Sequence, residues 1–316
     1  MNIGAAAAGF SIDIIRKALH LPNVHIFTLG VITAILCLVI GTLMVKREEQ
    51  LVSPDAEPEI HKEEVKVQSK PPLQAVREVI REPTLWRLLV LVALILGVRA
   101  VYAYLYLLMP KYWLRTIGPD AAIGTLNAIN PIGIVIGLIL FIPITNKFNV
   151  FKMLIYGAMI SAFSLFPLAL PWDLFSNDIA RAHYLMAFVC MVIVTIGEVS
   201  WSPKLYEYTA AIAPKGQEGI YLGLSLIPWF LAKTLVSAFS GHLLEFWSPE
   251  KVNLHGELVP LQKALVEHQL PYWHTPAAMW LVLGLYALAG CIIALFLRGW
   301  LTRGADWRKK KDDGKG

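Results

Sequence analysis

The sequence predicts an all-α membrane protein, a polytopic helical bundle, and three observations carry that expectation. Of its 316 residues 56% are apolar and only 16% are charged, with a mean hydropathy of +0.57; soluble domains run nearer one quarter charged. The apolar residues gather in runs of about 20, the length a helix needs to cross roughly 30 Å of hydrocarbon. Strands of a membrane barrel would instead alternate in segments of about 10 residues.

Taken in order, the first run, 2–15, is short and rich in small residues (Gly4-Ala5-Ala6-Ala7-Ala8-Gly9), which let helix backbones approach in lipid. No basic segment precedes it, unlike a secretory signal. It reads as the back part of a span whose front is missing. Seven full spans follow, at 26–45, 85–109, 123–145, 151–170, 184–211, 220–244 and 277–297. Residues 1–45 thus form one unit of a partial and a full span, and 46–84 a polar interruption rich in acid and proline. Within that interruption Leu73, Val76, Val79 and Ile80 recur at helical spacing, as in an amphipathic helix lying on the membrane or a solvated linker helix. Residues 85–298 make a six-span bundle, and 299–316 a basic tail.

Lysine and arginine set the orientation. With the tail in the cytoplasm, 19 basic residues fall on the inner side, seven on the outer side and two, Arg99 and Lys233, within spans. The net charge of +5 therefore reflects topology and attraction to anionic lipid, and no nucleic-acid motif accompanies it. The compartment is left open between the plasma membrane and an endomembrane. Cys37, Cys190 and Cys291 all lie within spans, which leaves no CxxC metal pattern or disulfide framework. No cofactor is expected.

Charge inside a span is where function is sought, because an ionised side chain in hydrocarbon is costly unless it faces a bundle interior. Glu198 stands 14 residues from the outer end of its span, about 21 Å along the helix axis. Arg99 and Lys233 reach similar depth from the inner side, so all three can meet near the midplane, where carriers bind solute. A static ion pair locking helices together is the alternative. Tyr102 and Tyr106 follow Arg99 at offsets of three and seven, giving an aromatic, hydroxyl-bearing strip. Asn127 and Asn130 precede Pro131 and either bind solute or bridge helices. Trp201 lies one turn beyond Glu198, and Pro203 removes a backbone hydrogen bond, so it is a candidate hinge or a passive bend. Lys204 and Glu207 are expected to pair at the surface. Gly133-x-x-x-Gly137 and Gly219-x-x-x-Gly223 signal close helix packing. Seven of the eight histidines fall at or beyond outer span ends, as interfacial or loop residues. No HExxH, GxSxG or Walker-type loop supports an enzyme or an ATP-driven pump.

The segment Gly197-Glu198-x-x-x-Ser202-Pro203, with Ala213-Pro214-x-x-x-x-Gly219-x-x-x-Gly223 after it, resembles the tenth helix and following inner loop of the proton-coupled oligopeptide transporter family, within the major facilitator superfamily. Asn130-Pro131 is similar to the step in that family's eighth helix, and Asn146-Lys147-Phe148-Asn149 to the superfamily's tight basic loop. Trp229-Phe230-Leu231-Ala232 resembles a string on the eleventh helix, set several residues further from Gly223. The resemblance covers about 85–297. It implies a major facilitator-type bundle made of the C-terminal six-helix half plus parts of the two helices before it. It implies also that Glu198 engages a peptide-like amine and that Asn130 contacts substrate. Arg99 and Lys233 depart from the family pattern and favour an anionic or zwitterionic solute.

The expectation is therefore a truncated or partial secondary transporter of a small polar solute, peptide- or amino-acid-like, coupled to protons by alternating access. Its partners would be the solute, protons, the bilayer, and a missing N-terminal half or a second copy. A non-transporting scaffold or sensor built on a transporter half is the alternative. A membrane-embedded enzyme or haem protein rests on the outer histidines alone.

Overall fold

The computed structural model describes residues 2–22, 24–51, 82–145, 147–214 and 217–303, without the side chains of 45–51, 142 and 144. The amphipathic segment expected at 73–80, most of the basic tail, Asn146 and Lys215 lie outside the described residues.

Helix α1 (Asn2–Asp13) runs into a π-turn (Ile14–Ala18) and is followed by α2 (Val24–Leu51). The latter continues past the expected span end at 45, because Lys46, Arg47, Glu48, Glu49 and Gln50 favour helix and the membrane boundary imposes no stop. Then come α3 (Pro83–Leu94), α4 (Leu96–Leu107) and α5 (Met109–Thr116). Next are α6 (Ile123–Thr145), α7 (Val150–Phe163) and α8 (Phe166–Ala169). Beyond them lie α9 (Ile179–Ile212), α10 (Glu218–Ser225) and α11 (Ile227–Trp247). A hairpin β1 (Lys251–Leu254) and β2 (Glu257–Pro260), then α12 (Leu261–Val266), fill the outer loop before α13 (Pro276–Phe296) and α14 (Arg298–Leu301). Among the described residues six helices are long and apolar enough to cross a membrane, seven when α3 and α4 count as one span.

That span differs from the straight one expected. It is bent by 46° at Ile95, although Arg99 N still donates to Ile95 O at 3.0 Å. No proline lies at the break. The bend is instead accommodated by α13: a Cβ at Gly290 would collide with the Leu94 carbonyl, and one at Gly97 would come within 2.8 Å of Ala287 Cα. Two residues without bulk thus let a distorted stretch of backbone press on its neighbour.

The core lies between α3–α4, α7, α9 and α13, with Trp113, Trp201, Trp280, Tyr112 and Tyr208 fully buried. Small residues set the closest approach. Where α7 crosses α9, a Cβ on Gly157 would meet Ser200 Cβ and Trp201 N at 2.8 Å, and one on Gly197 would meet Ser161 N at 2.6 Å. Gly133 and Gly137 of α6 face Thr195 and Val199 of α9 in the same way. The second glycine pair differs: among the described residues Gly219 and Gly223 have no atom within 4 Å of a Cβ position. Spacing puts two glycines on one face, but a neighbour must exist for them to pack.

Helix α1 packs on α6. The buried Asp13 carboxylate accepts from Gly124 N at 3.1 Å, Thr125 N at 2.6 Å and Thr125 Oγ1 at 2.7 Å. It thereby satisfies the open donors at the start of α6 from a different helix. The hairpin between α11 and α13, read from sequence only as loop, pairs Leu254 with Glu257 across His255 and Gly256, both at positive φ (53° and 94°). Both central residues of that two-residue turn need the left-handed region. His183, expected at an interface, is buried and hydrogen-bonded to Ile179 O at 3.0 Å.

Candidate functional site

Two groups of polar side chains meet in the middle of the bundle. The first belongs to α6 and α9. Thr195 and Glu198 are three apart on α9 and so share a face. Thr195 Oγ1 donates to Met191 O at 2.7 Å within its own helix. Asn130 on α6, 3% exposed, donates from Nδ2 to Thr195 Oγ1 at 3.2 Å and to Glu198 Oε2 at 3.1 Å. The carboxylate is thus held by a neutral amide. Among the described residues no ion pair joins Glu198 to Arg99 or Lys233, so a static ion-pair lock does not describe this site.

The second group is cationic and aromatic. Arg99 on α4 is 8% exposed and places its guanidinium carbon 4.6 Å from the Trp201 ring centroid and 5.7 Å from that of Trp229. Lys233 on α11 lies 4.6 Å above Trp229. A cation over an indole face is attracted by the ring quadrupole, more strongly where water is scarce. Trp201 is held in turn: its Nε1 donates to Tyr102 Oη at 3.0 Å, and Tyr102 Oη lies 2.7 Å from Ser161 Oγ on α7. A chain of contacts therefore runs from the α7–α9 crossing through Tyr102 and Trp201 to the Arg99 guanidinium. Because Trp201 follows Glu198 by three residues on α9, one helix face serves both groups.

The structure places the sequence-predicted residues unevenly. Glu198, Asn130, Arg99, Tyr102 and Trp201 come together, and Lys233 joins them through Trp229. Tyr106 is 51% exposed, whereas Tyr102 is buried, and Tyr106 lies within electrostatic reach of Glu198. Asn127 is partly buried, with an Oδ1 that has no hydrogen-bond partner. Helix α9 runs through Pro203, the candidate hinge or passive bend, as one continuous helix, and a separate 46° bend lies at Ile95 in another span. The Lys204–Glu207 pair forms at 2.7 Å, but Lys204 is buried and the pair is not a purely surface one. The sequence alone does not single out Thr195, Ser161 or the place of Trp229 between Arg99 and Lys233. Helical spacing from Glu198 points to Thr195, whereas nothing local points to Ser161. Among the described residues no group of three or more His, Cys, Asp or Glu could hold a metal.

Comparison with known proteins bears on the whole bundle. A family model described as Major Facilitator Superfamily matches residues 1–237. A solved mutant of peptide transporter POT in complex with sulfate aligns at a TM-score of 0.52 with 16% identity, over 90% of this chain and 55% of its own. The alafosfalin complex of that mutant aligns at 0.48 with 18% identity over the same shares. The chain thus spans 55% of the length of these transporters, and at such identity the first likeness concerns the fold alone. No curated protein sequence matches the chain. A helical membrane bundle with a central polar site, matched over residues 1–237 of its 316, belongs to the major facilitator superfamily.

Proposed function

We propose that this chain forms the solute-binding body of a secondary transporter that moves a small polar solute, peptide- or amino-acid-like, together with protons by alternating access. Glu198 is the coupling group. The observation that carries this reading is its hydrogen bond to Asn130, with no ion pair to it among the described residues. The Asn130 amide can donate to a carboxylate or to the carbonyl oxygen of the protonated acid, so the bond survives gain and loss of a proton. A carboxylate with no permanent cation can exchange a proton for a solute ammonium as the cavity opens to either side. Asn130 and Asn127 then face solute, and Arg99, Lys233, Tyr102, Tyr106 and Trp201 line or support the cavity.

The six-span unit 85–298 carries this site, and 299–316 lies on the cytoplasmic side. The face that α11 leaves open is completed by further helices or by a second copy of the chain. Support comes from the superfamily membership and from the peptide-transporter fold of the solved structure it resembles.

Vesicles reconstituted with the chain, alone and together with an amino-terminal six-helix half, provide the test. An inward proton gradient should drive accumulation of a dipeptide. Glu198→Gln should reduce gradient-driven accumulation at least about tenfold while sparing exchange, the loss expected when a positioned proton carrier is removed. Gradient-driven uptake by that variant equal to the unaltered protein's would overturn the role of Glu198.

A further inference from the structure

Arg99 is buried with two guanidinium nitrogens, Nε and Nη2, that have no hydrogen-bond partner among the described residues. Leaving such donors buried and unpaired is destabilising, and charged donors more so. These two are the side-on edge of the guanidinium, where two parallel N–H bonds match the spacing of two oxygens on one carboxylate or phosphonate. The fork is also held in place. Trp201 and Trp229 each lie within 6 Å of the guanidinium carbon, and Trp201 is anchored by Tyr102. The Tyr206 hydroxyl stands within hydrogen-bonding reach of the guanidinium, Tyr102 and Glu198 act on it electrostatically, and the Glu198 carboxylate is not paired with it. Lys233 over Trp229 adds a second positive charge beside the first. With Glu198 ionised, the two cations and one carboxylate leave one unit of positive charge for an incoming anion to balance.

We infer that Arg99 is the anion anchor of the site: the Nε–Nη2 edge takes an oxyanion bidentately, and the solute therefore carries a carboxylate or a phosphonate of like geometry. Trp201 and Trp229 are positioning residues that hold the fork. This rests on the reading of the central site as the solute site, and it adds the acidic group the solute must present.

The test measures binding by the purified chain in detergent, read from tryptophan fluorescence and confirmed by thermal shift. The probes are N-acetyl-alanyl-alanine, its C-terminal amide, and inorganic phosphate. The acid should bind at least about tenfold more tightly than the amide, the difference expected for a charge-assisted bidentate contact. Arg99→Lys, which keeps the charge and loses the fork, should weaken the acid about tenfold, and Lys233→Gln should weaken it less. Phosphate competing as well as the acid would mark a general anion site and overturn the solute-carboxylate assignment. Equal binding of acid and amide, or no binding of the acid at millimolar concentration, overturns the anchor. Those comparisons need no variant, so they decide the matter even where Arg99→Lys fails to fold. Acid-selective binding without gradient-driven uptake keeps the anchor and loses the carrier reading. Glu198-dependent uptake with acid and amide bound alike does the reverse.

Discussion

Helices α9 and α11 both border the central site, yet they are built in opposite ways. Half of the most apolar stretch of α9 is buried, against 22% in the span that contains α11. Helix α9 is gripped on two sides, by α7 at Gly157 and Gly197 and by α6 at Gly133 and Gly137. Helix α11 buries only Pro228, Ala232, Val236 and Leu244, a single narrow stripe at spacings of four and eight. The difference separates two jobs. The helix that carries Glu198 and Trp201 needs its side chains held in register, and close packing of small residues does that. The helix that carries Lys233 forms one wall of an open face, and under the proposed function its exposure would let a solute reach the charge.

The comparison can be broken most directly at α9. Gly197→Leu should lower stability by about 3 kcal/mol, because the added side chain must enter the backbone and hydroxyl of Ser161. The melting temperature in detergent reads this, and an unchanged melt would mean α7 and α9 are not in such contact. A smaller effect is expected at the α1–α6 contact. Asp13→Asn keeps the shape but removes the negative charge from the start of α6, with a loss of about 1–2 kcal/mol. The same melt checks it, and a loss as large as that of Gly197→Leu would place α1 on a level with the core. Least disturbance is expected at α10, where Gly219→Ala and Gly223→Ala meet no atom within 4 Å. Each should be neutral or stabilising by up to about 1 kcal/mol, since alanine orders a helix more readily than glycine. Clear destabilisation there would erase the distinction between gripped and ungripped glycines.

The fold class was legible because lipid demands long apolar runs, and such runs survive any arrangement of neighbours. Position along a span was legible too, since it depends only on residue count along a helix. Direction around the helix was not. The bonded partner of Glu198 is Asn130 rather than either cation, and that choice depends on how α6 and α9 are rotated. The two glycine motifs make the same point: identical spacing, one pair packed on α9 and the other facing nothing. The bend at Ile95 was hidden for a related reason. No proline or glycine sits at the break itself, and its accommodation lies almost 200 residues away on α13.

That bend has a structural consequence. With the Leu94 carbonyl seated against Gly290 at the crossing with α13, the span has two arms of different attachment. The inner arm is tied to α10 through Thr84 and Tyr221 at 2.7 Å and to the segment after α14 through Arg87 and the Arg303 carbonyl. The outer arm carries Arg99 one turn past the joint. Along the helix axis Arg99 lies about 6 Å from Ile95 and Thr84 about 16 Å from it on the other side, so one bent span joins the polar site to α10 and to the segment after α14.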